Sequence, residues 1–205
     1  MTPDELAKAR RHLLKGCPTI AKIVKRVGAC EISFNPDSFA VLCRAIIGQQ
    51  LSTKAAASIH ARVVAMLGGH YRPNSFQMLT DEQLRGCGLS NGKVRFLRDL
   101  VRKVNDGTVP IRKLPKLEND EIRERLLEVN GIGPWTVDMY LMFGLGRPDV
   151  LPTGDLGIRM GFKKAFGLDE LPTRPVMFEL ATPWQPYRTV ASWYLWRLLE
   201  LKVPC

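Results

Sequence analysis

One short segment in the middle of the chain restricts the fold more than any other feature. An apolar helical pattern runs into Gly131-Ile132-Gly133, and a second helical pattern begins at once with Pro134. Two glycines around one apolar residue allow a tight turn with left-handed backbone angles. Proline suits the first turn of a helix, because its missing N–H needs no partner there. The segment therefore predicts a helical hairpin over residues 126–145.

Apolar residues recur at helical spacing along most of the remaining chain. Only Ile32 and Phe34 alternate as the residues of a strand do. We therefore expect an all-α protein, and the many short helices favour an irregular multi-helix fold over a long four-helix bundle. The apolar stripes are Ile20/Ile23/Val24/Val27, Phe39/Leu42/Cys43/Ile46/Ile47, Ala55/Ala56/Ile59/Val63/Met66/Leu67, Leu97/Leu100/Val101/Val104 and Ile122/Leu126/Val129.

Local signals predict further boundaries. Asn119 or Asp120 is expected to cap a helix, because short polar side chains accept hydrogen bonds from the first turn. Pro186 is placed to begin another helix, as Pro134 is. Residues 109–115 contain two prolines and two basic residues, so we predict a surface loop there.

The composition favours a polyanionic partner. Lys and Arg total 30 against 20 acidic residues, which gives a formal net charge of +10. The excess is spread along the chain, which favours a folded basic face over a disordered arm. Nucleic acid is the first candidate partner of such a face, and an anionic membrane is the second. Ordinary solubility charge is the alternative, and composition does not decide between them. No apolar run reaches the roughly 20 residues that cross a bilayer, and residues 1–16 lack a signal-peptide pattern.

The cysteines and histidines indicate a reducing compartment and argue against a metal centre. No Cys-x-x-Cys pair is present, which excludes a closely spaced iron–sulfur loop. The three histidines have no helical spacing that suits zinc. We expect an intracellular protein, in the cytoplasm and nucleoid of a bacterium or the nucleus of a eukaryote. The dispersed cysteines are Cys17, Cys30, Cys43, Cys87 and Cys205.

The hairpin turn suits a phosphate group. The first amides of the second helix lack partners and lie at the positive end of its dipole. The candidate DNA contacts are Gly131, Ile132, Gly133 and Thr136, through a kind of contact that positions a protein on DNA without reading sequence. A simple glycine-capped hairpin is the alternative.

The hairpin and the residues after it resemble a known superfamily. With Leu141-Met142-Phe143 and the run from Arg147 through Thr153-Gly154-Asp155 to Ile158, it is similar to the helix–hairpin–helix–Gly/Pro–Asp base-excision DNA glycosylases, and within them to the 3-methyladenine DNA glycosylase II family. The similarity extends from Phe39 to Trp196. A hairpin alone is shared with many DNA-binding proteins, whereas a hairpin with a downstream Asp is far more specific.

The resemblance implies a domain organisation. One glycosylase unit would span residues 1–205, with two helical lobes flanking a cleft for DNA and the target base. Lobe one would cover about 40–150, and lobe two would combine 1–38 with 155–205. Relative to longer bacterial members, we expect a compact form without the N-terminal β-rich domain.

Asp155 has a local and an implied role. It precedes the apolar pattern of Leu156, Ile158 and Phe162, where Asp is a good helix N-cap. The resemblance makes it the essential carboxylate, and both roles are compatible because a helix N-terminus stabilises negative charge. Breaking an N-glycosidic bond leaves positive charge on the sugar. A carboxylate about 4 Å away contributes roughly 4 kcal/mol at an effective dielectric of 20. Orienting the attacking water is a second role that stays open.

The resemblance also indicates which class of damaged base the enzyme would release. Alkylation at N3 or N7 makes a purine cationic, so it departs without strong protonation. No second carboxylate matches a general acid of the family, which favours alkylated purines: 3-methyladenine, 7-methylguanine and, as a further candidate, ethenoadenine. Members that also nick the backbone use a hairpin lysine as a Schiff base, and Trp135 holds that position here. The resemblance therefore implies a monofunctional enzyme.

Two other functions stay open. A non-catalytic helix–hairpin–helix module would only grip DNA, but a carboxylate at Asp155 would then repel the phosphodiester backbone. A glycosylase for an oxidised or deaminated base is disfavoured by the missing hairpin lysine and the missing cysteine cluster.

The resemblance also implies a base pocket and a wedge. Trp135, Trp196 and Met139 would line the pocket, because a cationic purine stacks well on an indole. Core packing is the alternative for most C-terminal aromatic residues. Gln50 matches the residue that enters the duplex where the base has left, with Leu51 as the alternative. The local interpretation of this segment is a turn whose next helix is capped by Ser52 or Thr53.

The remaining implied components concern ions and partners. The chemistry requires no cofactor, and the resemblance implies a structural Na⁺ or K⁺ on the backbone carbonyls of Leu127, Val129 and Ile132. The expected partner is double-stranded DNA that contains alkylated bases. We expect the protein to act as a monomer and to bind no membrane.

Overall fold

The computed structural model describes residues 1–201, apart from the side chain of residue 53, so Cys205 and a cap by Thr53 lie outside the described part. This part is helical and contains no strand, as the apolar spacing predicts, and Ile32 and Phe34 lie in irregular chain. No helix in it is long and apolar enough to cross a membrane. The helices are α1 Pro3–Gly16, α2 Pro18–Val27, α3 Ser38–Gly48, α4 Thr53–Met66, α5 Pro73–Gln77, α6 Asp81–Gly86, α7 Asn91–Asn105, α8 Asn119–Leu127, α9 Pro134–Met139, α10 Leu156–Phe166, α11 Arg174–Leu180 and α12 Arg188–Glu200, with 3-10 turns at Leu114–Lys116 and Thr182–Trp184 and a π-helical turn at Tyr140–Gly144.

These helices form two compact units. The terminal unit combines Met1–Phe34 with the chain from Leu141 onward, and the central unit is Asn35–Tyr140. In the terminal unit, α10 packs along α12, and α1 and α2 pack beside them. Its core includes Trp184, which stacks on Phe162 with ring centroids 5.0 Å apart.

Two small residues let α10 approach α12 closely. A Cβ atom on Gly161 would lie 2.9 Å from Cβ of Leu195, and one on Gly157 would lie 3.1 Å from the indole of Trp196. Such distances are shorter than ordinary carbon contacts of about 3.5–4.0 Å. The separation of these helices therefore depends on the absence of side chains at both positions.

The central unit is organised around α7, which contacts α3, α5 and α6. Its Leu97 and Leu100 are fully buried. The guanidinium of Arg98 donates to the carbonyls of Phe76 and Leu79 and pairs with Asp81 at 2.9 Å, which ties α7 to the α5–α6 segment.

Some predicted boundaries are confirmed and others are wrong. Ser52 caps α4 by accepting the N–H of Ala55, as predicted. The N-cap of α8 is Glu118, without a side-chain cap bond, so the prediction of Asn119 or Asp120 was wrong. These polar residues lie inside the first turn, where Asp120 still interacts favourably with the helix dipole.

Two predictions around proline were also wrong. Pro186 lies ahead of α12, which begins at Arg188 and has Tyr187 as its N-cap residue. Residues 109–115 form more than a surface loop, because Val109 and Leu114 are fully buried. Proline marks a change in chain direction but does not show which apolar neighbours enter a core.

Replacing Gly161 with alanine is expected to destabilise the terminal unit. The added Cβ forces α10 and α12 apart, and overpacking of about 1–3 kcal/mol outweighs the gain of up to about 1 kcal/mol in helix propensity. Urea unfolding should therefore show a lower free energy of unfolding. Gly86→Ala is the matched control, since a Cβ at the end of α6 has no neighbour within 4 Å. Equal stability of the two variants would contradict the close contact.

Candidate active site

Asp155 is the N-cap of α10, as the sequence predicts. Its backbone is extended, and its Oδ1 atom accepts the N–H of Ile158 at 2.8 Å. The side chain is half-buried, with the buried Leu151 and Pro152 shortly before it and Gly154 directly before it. The N-terminus of α10 therefore holds this carboxylate through one hydrogen bond.

A second donor reaches the same oxygen from another helix. The indole N–H of Trp196, on α12, donates to Oδ1 of Asp155 at 2.9 Å. Phe143 stacks on Trp196 with ring centroids 5.9 Å apart and an interplanar angle of 29°. The indole therefore lies between the carboxylate and an aromatic ring, and its predicted role as a wall of the base pocket stays a prediction.

Two residues of this arrangement were missed in the sequence. Gly157 allows the contact, because a Cβ there would lie 3.0 Å from Oδ1 of Asp155 and 3.1 Å from the Trp196 ring. A glycine in the first turn of an otherwise apolar helix was the available signal. Phe143 lies in the π-helical turn, and nothing in its spacing marks it as a partner of Trp196.

Residues 147–150, which precede Asp155 in the chain, are hydrogen-bonded to the start of α12. Arg188 binds Asp149 through two parallel hydrogen bonds, Nε to Oδ1 at 2.6 Å and Nη2 to Oδ2 at 2.8 Å. The hydroxyl of Thr189 accepts the N–H of Val150 at 3.0 Å and donates to the carbonyl of Arg147 at 2.7 Å. Bidentate pairs of this kind add geometric specificity.

The predicted hairpin is present in the central unit, where α8 ends at Leu127 and α9 begins at Pro134. Gly131 has a φ of +81°, and a Cβ there would lie 2.2 Å from the ring of Phe96. Glycine is therefore required both by the backbone angle and by the close packing. The side chains of Ile132 and Thr136 are buried, at 5% and 2% exposure, so only their backbone groups are available for the predicted DNA contact.

Trp135 and Met139 are half-buried on α9. They are four residues apart and so share one side of the helix. The angle of the hairpin is supported by an ion pair between Arg123 on α8 and Asp138 on α9, with 2.7 Å between Nη2 and Oδ1. The predicted pocket residues of this unit therefore lie on a helix that is held by an ion pair to α8.

The carbonyl groups predicted to hold Na⁺ or K⁺ belong to this turn. Carbonyl oxygens are suitable ligands for a hard cation, so the donor set fits. The carbonyl of Val129 already accepts the N–H of Ile132 at 3.0 Å, and the ammonium of Lys103 donates to the carbonyl of Glu128. The ion stays a prediction, with a purely structural role. Within residues 1–201, apart from the side chain of residue 53, no group of three or more His, Cys, Asp or Glu residues is placed to hold a metal.

The turn between α3 and α4 presents both candidate wedge residues. Gln50 is exposed and has a φ of +57°, and Leu51 is 38% exposed. The residue before them, Gln49, was missed in the sequence: its Nε2 donates to the carbonyl of Gly131 at 2.7 Å and to Oγ1 of Thr136 at 3.4 Å. The wedge turn is therefore bonded to the hairpin.

The far side of the hairpin is held by α7. Oδ2 of Asp99 accepts the N–H of Asn130 at 2.8 Å, and Oδ1 accepts from Arg102 at 2.6 Å. Burial alone would raise the pKa of Asp99, but the Asn130 amide, Arg102 and Lys103 outweigh burial and lower the pKa below its ordinary value.

Comparison with known proteins identifies the family. The sequence profile of the HhH-GPD superfamily base excision DNA repair proteins matches residues 43–186, which contain the hairpin and Asp155. The chain belongs to this superfamily.

Individual superfamily members are similar over most of the chain. DNA-3-methyladenine glycosylase 1 of Schizosaccharomyces pombe is 34% identical over 202 residues, which cover 96% of the chain and 89% of that protein. The Bacillus subtilis protein YfjP, named as a candidate DNA-3-methyladenine glycosylase, is 35% identical over 166 residues, covering 78% of the chain but only 58% of that relative.

A solved superfamily structure shares the fold. The S. pombe 3-methyladenine DNA glycosylase Mag1, in complex with abasic DNA, superimposes with a TM-score of 0.87 at 33% identity, over 95% of the chain and 98% of Mag1. The all-α class expected from the sequence is therefore the HhH-GPD glycosylase fold.

The predicted site residues fall into two groups. Asp155 and Trp196 lie together in the terminal unit and are hydrogen-bonded. The other group lies in the central unit, where Gln49 joins the wedge turn to the hairpin. Its members are Gln50, Leu51, Leu127, Val129, Gly131, Ile132, Gly133, Trp135, Thr136 and Met139.

Asp99→Asn is expected to destabilise the protein at neutral pH but not in acid. A carboxylate whose pKa is lowered by folding stabilises the folded state above its unfolded pKa of about 3.9, and loses that contribution as the pH falls through the lower folded value. Urea unfolding at pH 7 should separate the variant from the wild type, and the difference should shrink steadily below about pH 4. The exposed Asp169 provides the control Asp169→Asn. A difference independent of pH would show that the Asp99 charge is not involved.

Proposed function

We propose that this superfamily member is a DNA glycosylase that hydrolyses the N-glycosidic bond of alkylated purines and leaves an abasic site. The observation that carries the proposal is the Asp155 carboxylate, held on one oxygen by the α10 terminus and by the Trp196 indole. The relatives named as DNA-3-methyladenine glycosylases support alkylated purines, such as 3-methyladenine and 7-methylguanine, as the substrate class.

The proposed step is the loss of the base from the sugar. As the C1′–N bond breaks, positive charge develops on the sugar and the base leaves with the bonding electrons. Asp155 stabilises that charge. The N–H of Ile158 and the indole N–H of Trp196 already point at the carboxylate before the reaction, so these dipoles do not have to reorient during it. Roughly 4 kcal/mol from one carboxylate at an effective dielectric of 20 corresponds to about a thousandfold in rate. Water then adds to the sugar carbon and loses a proton to the solvent, and Asp155 is also the group we assign to orient this water.

The substrate has to leave the helix stack before it reacts. In this proposal the flipped cationic purine stacks on an indole, which contributes roughly 1–3 kcal/mol per base. That Trp135, Met139 and Trp196 line this pocket stays an expectation from the family resemblance. The exposed Gln50 fills the gap and hydrogen-bonds the unpaired base. The backbone of residues 131–133 contacts a phosphate group, and the formal charge of +10 supports binding to duplex DNA. We propose that the protein works as a monomer inside the cell.

Asp155→Asn is expected to lower base release about a thousandfold while duplex binding and folding are retained, because asparagine is also a good N-cap. The assay incubates the protein with methylated duplex DNA and identifies released free bases by mass. Asp169→Asn removes the same charge from an exposed position of the terminal unit and should stay near the wild-type rate.

Two outcomes would contradict this function. Near wild-type release by Asp155→Asn would leave Asp155 as a helix cap only. A wild-type protein that binds the duplex but releases no methylated base would be a DNA-binding module, or a glycosylase for another lesion if an oxidised or deaminated base is released instead.

The product should be an abasic site in an unbroken strand. Trp135 stands where strand-nicking members carry a Schiff-base lysine, and an indole cannot form an imine. Borohydride added during turnover should therefore trap no protein–DNA adduct, while a bifunctional glycosylase treated in parallel should give a clear one. A trapped band with this protein would show that another amine performs the lyase step.

A further inference from the structure

One face of α7 touches both the wedge turn and the hairpin. Lys93, Phe96, Asp99 and Lys103 follow one another at spacings of three, three and four residues, so their side chains share one side of the helix. The last three contact the hairpin: Phe96 packs at Gly131, and Asp99 and Lys103 bind its backbone. Lys93, at the start of this face, binds the wedge turn instead.

Lys93 makes two hydrogen bonds to the end of α3. Its ammonium donates to the carbonyl of Ile47 at 2.7 Å and to the carbonyl of Gln49 at 2.8 Å. The last carbonyls of a helix lack intrahelical partners and lie at the negative end of its dipole, so a cation is favourable there. Lys93 is half-buried, and this burial lowers the pKa of its ammonium below the ordinary value.

The Gln49 carbonyl belongs to the peptide group that precedes Gln50. Among the described residues, Gln50 is the only non-glycine with a positive φ, at +57°. Left-handed angles cost an ordinary residue roughly 1–2 kcal/mol and persist only where the surroundings impose them. Here the Lys93 ammonium holds the carbonyl before Gln50, the N–H of Leu51 bonds the carbonyl of Gly48 at 3.2 Å, and the Gln49 amide bonds Gly131.

We propose that Lys93 is a positioning residue for the wedge: it holds the Gln49–Gln50 peptide in the left-handed turn that presents the Gln50 side chain at a set distance from the hairpin. The proposal rests on the proposed function, in which Gln50 enters the duplex. Lys93 acts through the turn and contacts neither the base nor the sugar.

The first experiment measures the turn in the free protein and does not depend on activity. Lys93→Met keeps the length of the side chain and removes the ammonium. The N–H of Leu51 should exchange with deuterium about tenfold faster in this variant, because the loss of a charged hydrogen bond favours opening of the turn. Arg95→Met is the matched control, since Arg95 is an exposed cation on the same helix. Equal exchange in both variants would overturn the proposal.

The second experiment tests whether Lys93 acts through Gln50. Single-turnover excision by Lys93→Met should fall about tenfold, Lys93→Arg should recover part of the loss, and the affinity for undamaged duplex should equal that of Arg95→Met. In a Gln50→Ala background, Lys93→Met should cause no further loss of excision. Losses that multiply would place the effect of Lys93 elsewhere and overturn the proposal.

The two experiments separate failure of this inference from failure of the proposed function. If the wild-type protein releases no alkylated base, the proposed function fails, and the exchange of the Leu51 amide still decides whether Lys93 holds the turn. Thermal unfolding of each variant shows whether it folds. If Lys93→Met does not fold, Lys93→Arg is compared with the wild type in both measurements. A lower excision rate with an unchanged exchange rate of the Leu51 amide would then overturn the proposal.

Discussion

The N-terminal cap of α10 is the interaction on which the candidate active site depends. Oδ1 of Asp155 accepts one hydrogen bond from its own helix and one from the indole of Trp196. In water a carboxylate is surrounded by dipoles that have to reorient when a positive charge forms nearby. Here the dipoles belong to two packed helices and are already oriented. The position of this carboxylate therefore depends on how the two helices pack.

The close packing of α10 on α12 depends on two glycines of α10. Gly157 and Gly161 lie one turn apart, and α10 has no Cβ at these two positions, where it approaches Trp196 and Leu195 of α12. A larger residue at either position would move the helices apart by a few tenths of an ångström or more, and the indole N–H would move away from the carboxylate. Hydrogen bonds weaken steeply with such changes in geometry. The same contact thus serves the stability of the terminal unit and the position of the Asp155 carboxylate.

In the central unit, a short hairpin has to be stabilised by its neighbours. Its hairpin includes α9, a helix of only six residues, and isolated helices of this length are not stable in water. Its turn is held by Phe96, Asp99 and Lys103 of α7, and by Gln49 from the wedge turn. The order of this short hairpin therefore comes from the elements packed against it and not from α9 alone.

The sequence by itself determined the helical class, the hairpin turn and the caps at Ser52 and Asp155, because these depend on residues three or four positions apart. Local signals were less reliable at Asn119 and Pro186, where several neighbouring residues satisfy the same rule. Only the tertiary structure decided that Trp196 donates to Asp155, 41 residues away, and that Gln49 donates to Gly131, 82 residues away. Such bonds leave no periodic pattern, because they form only when packing brings two helices within the length of one side chain.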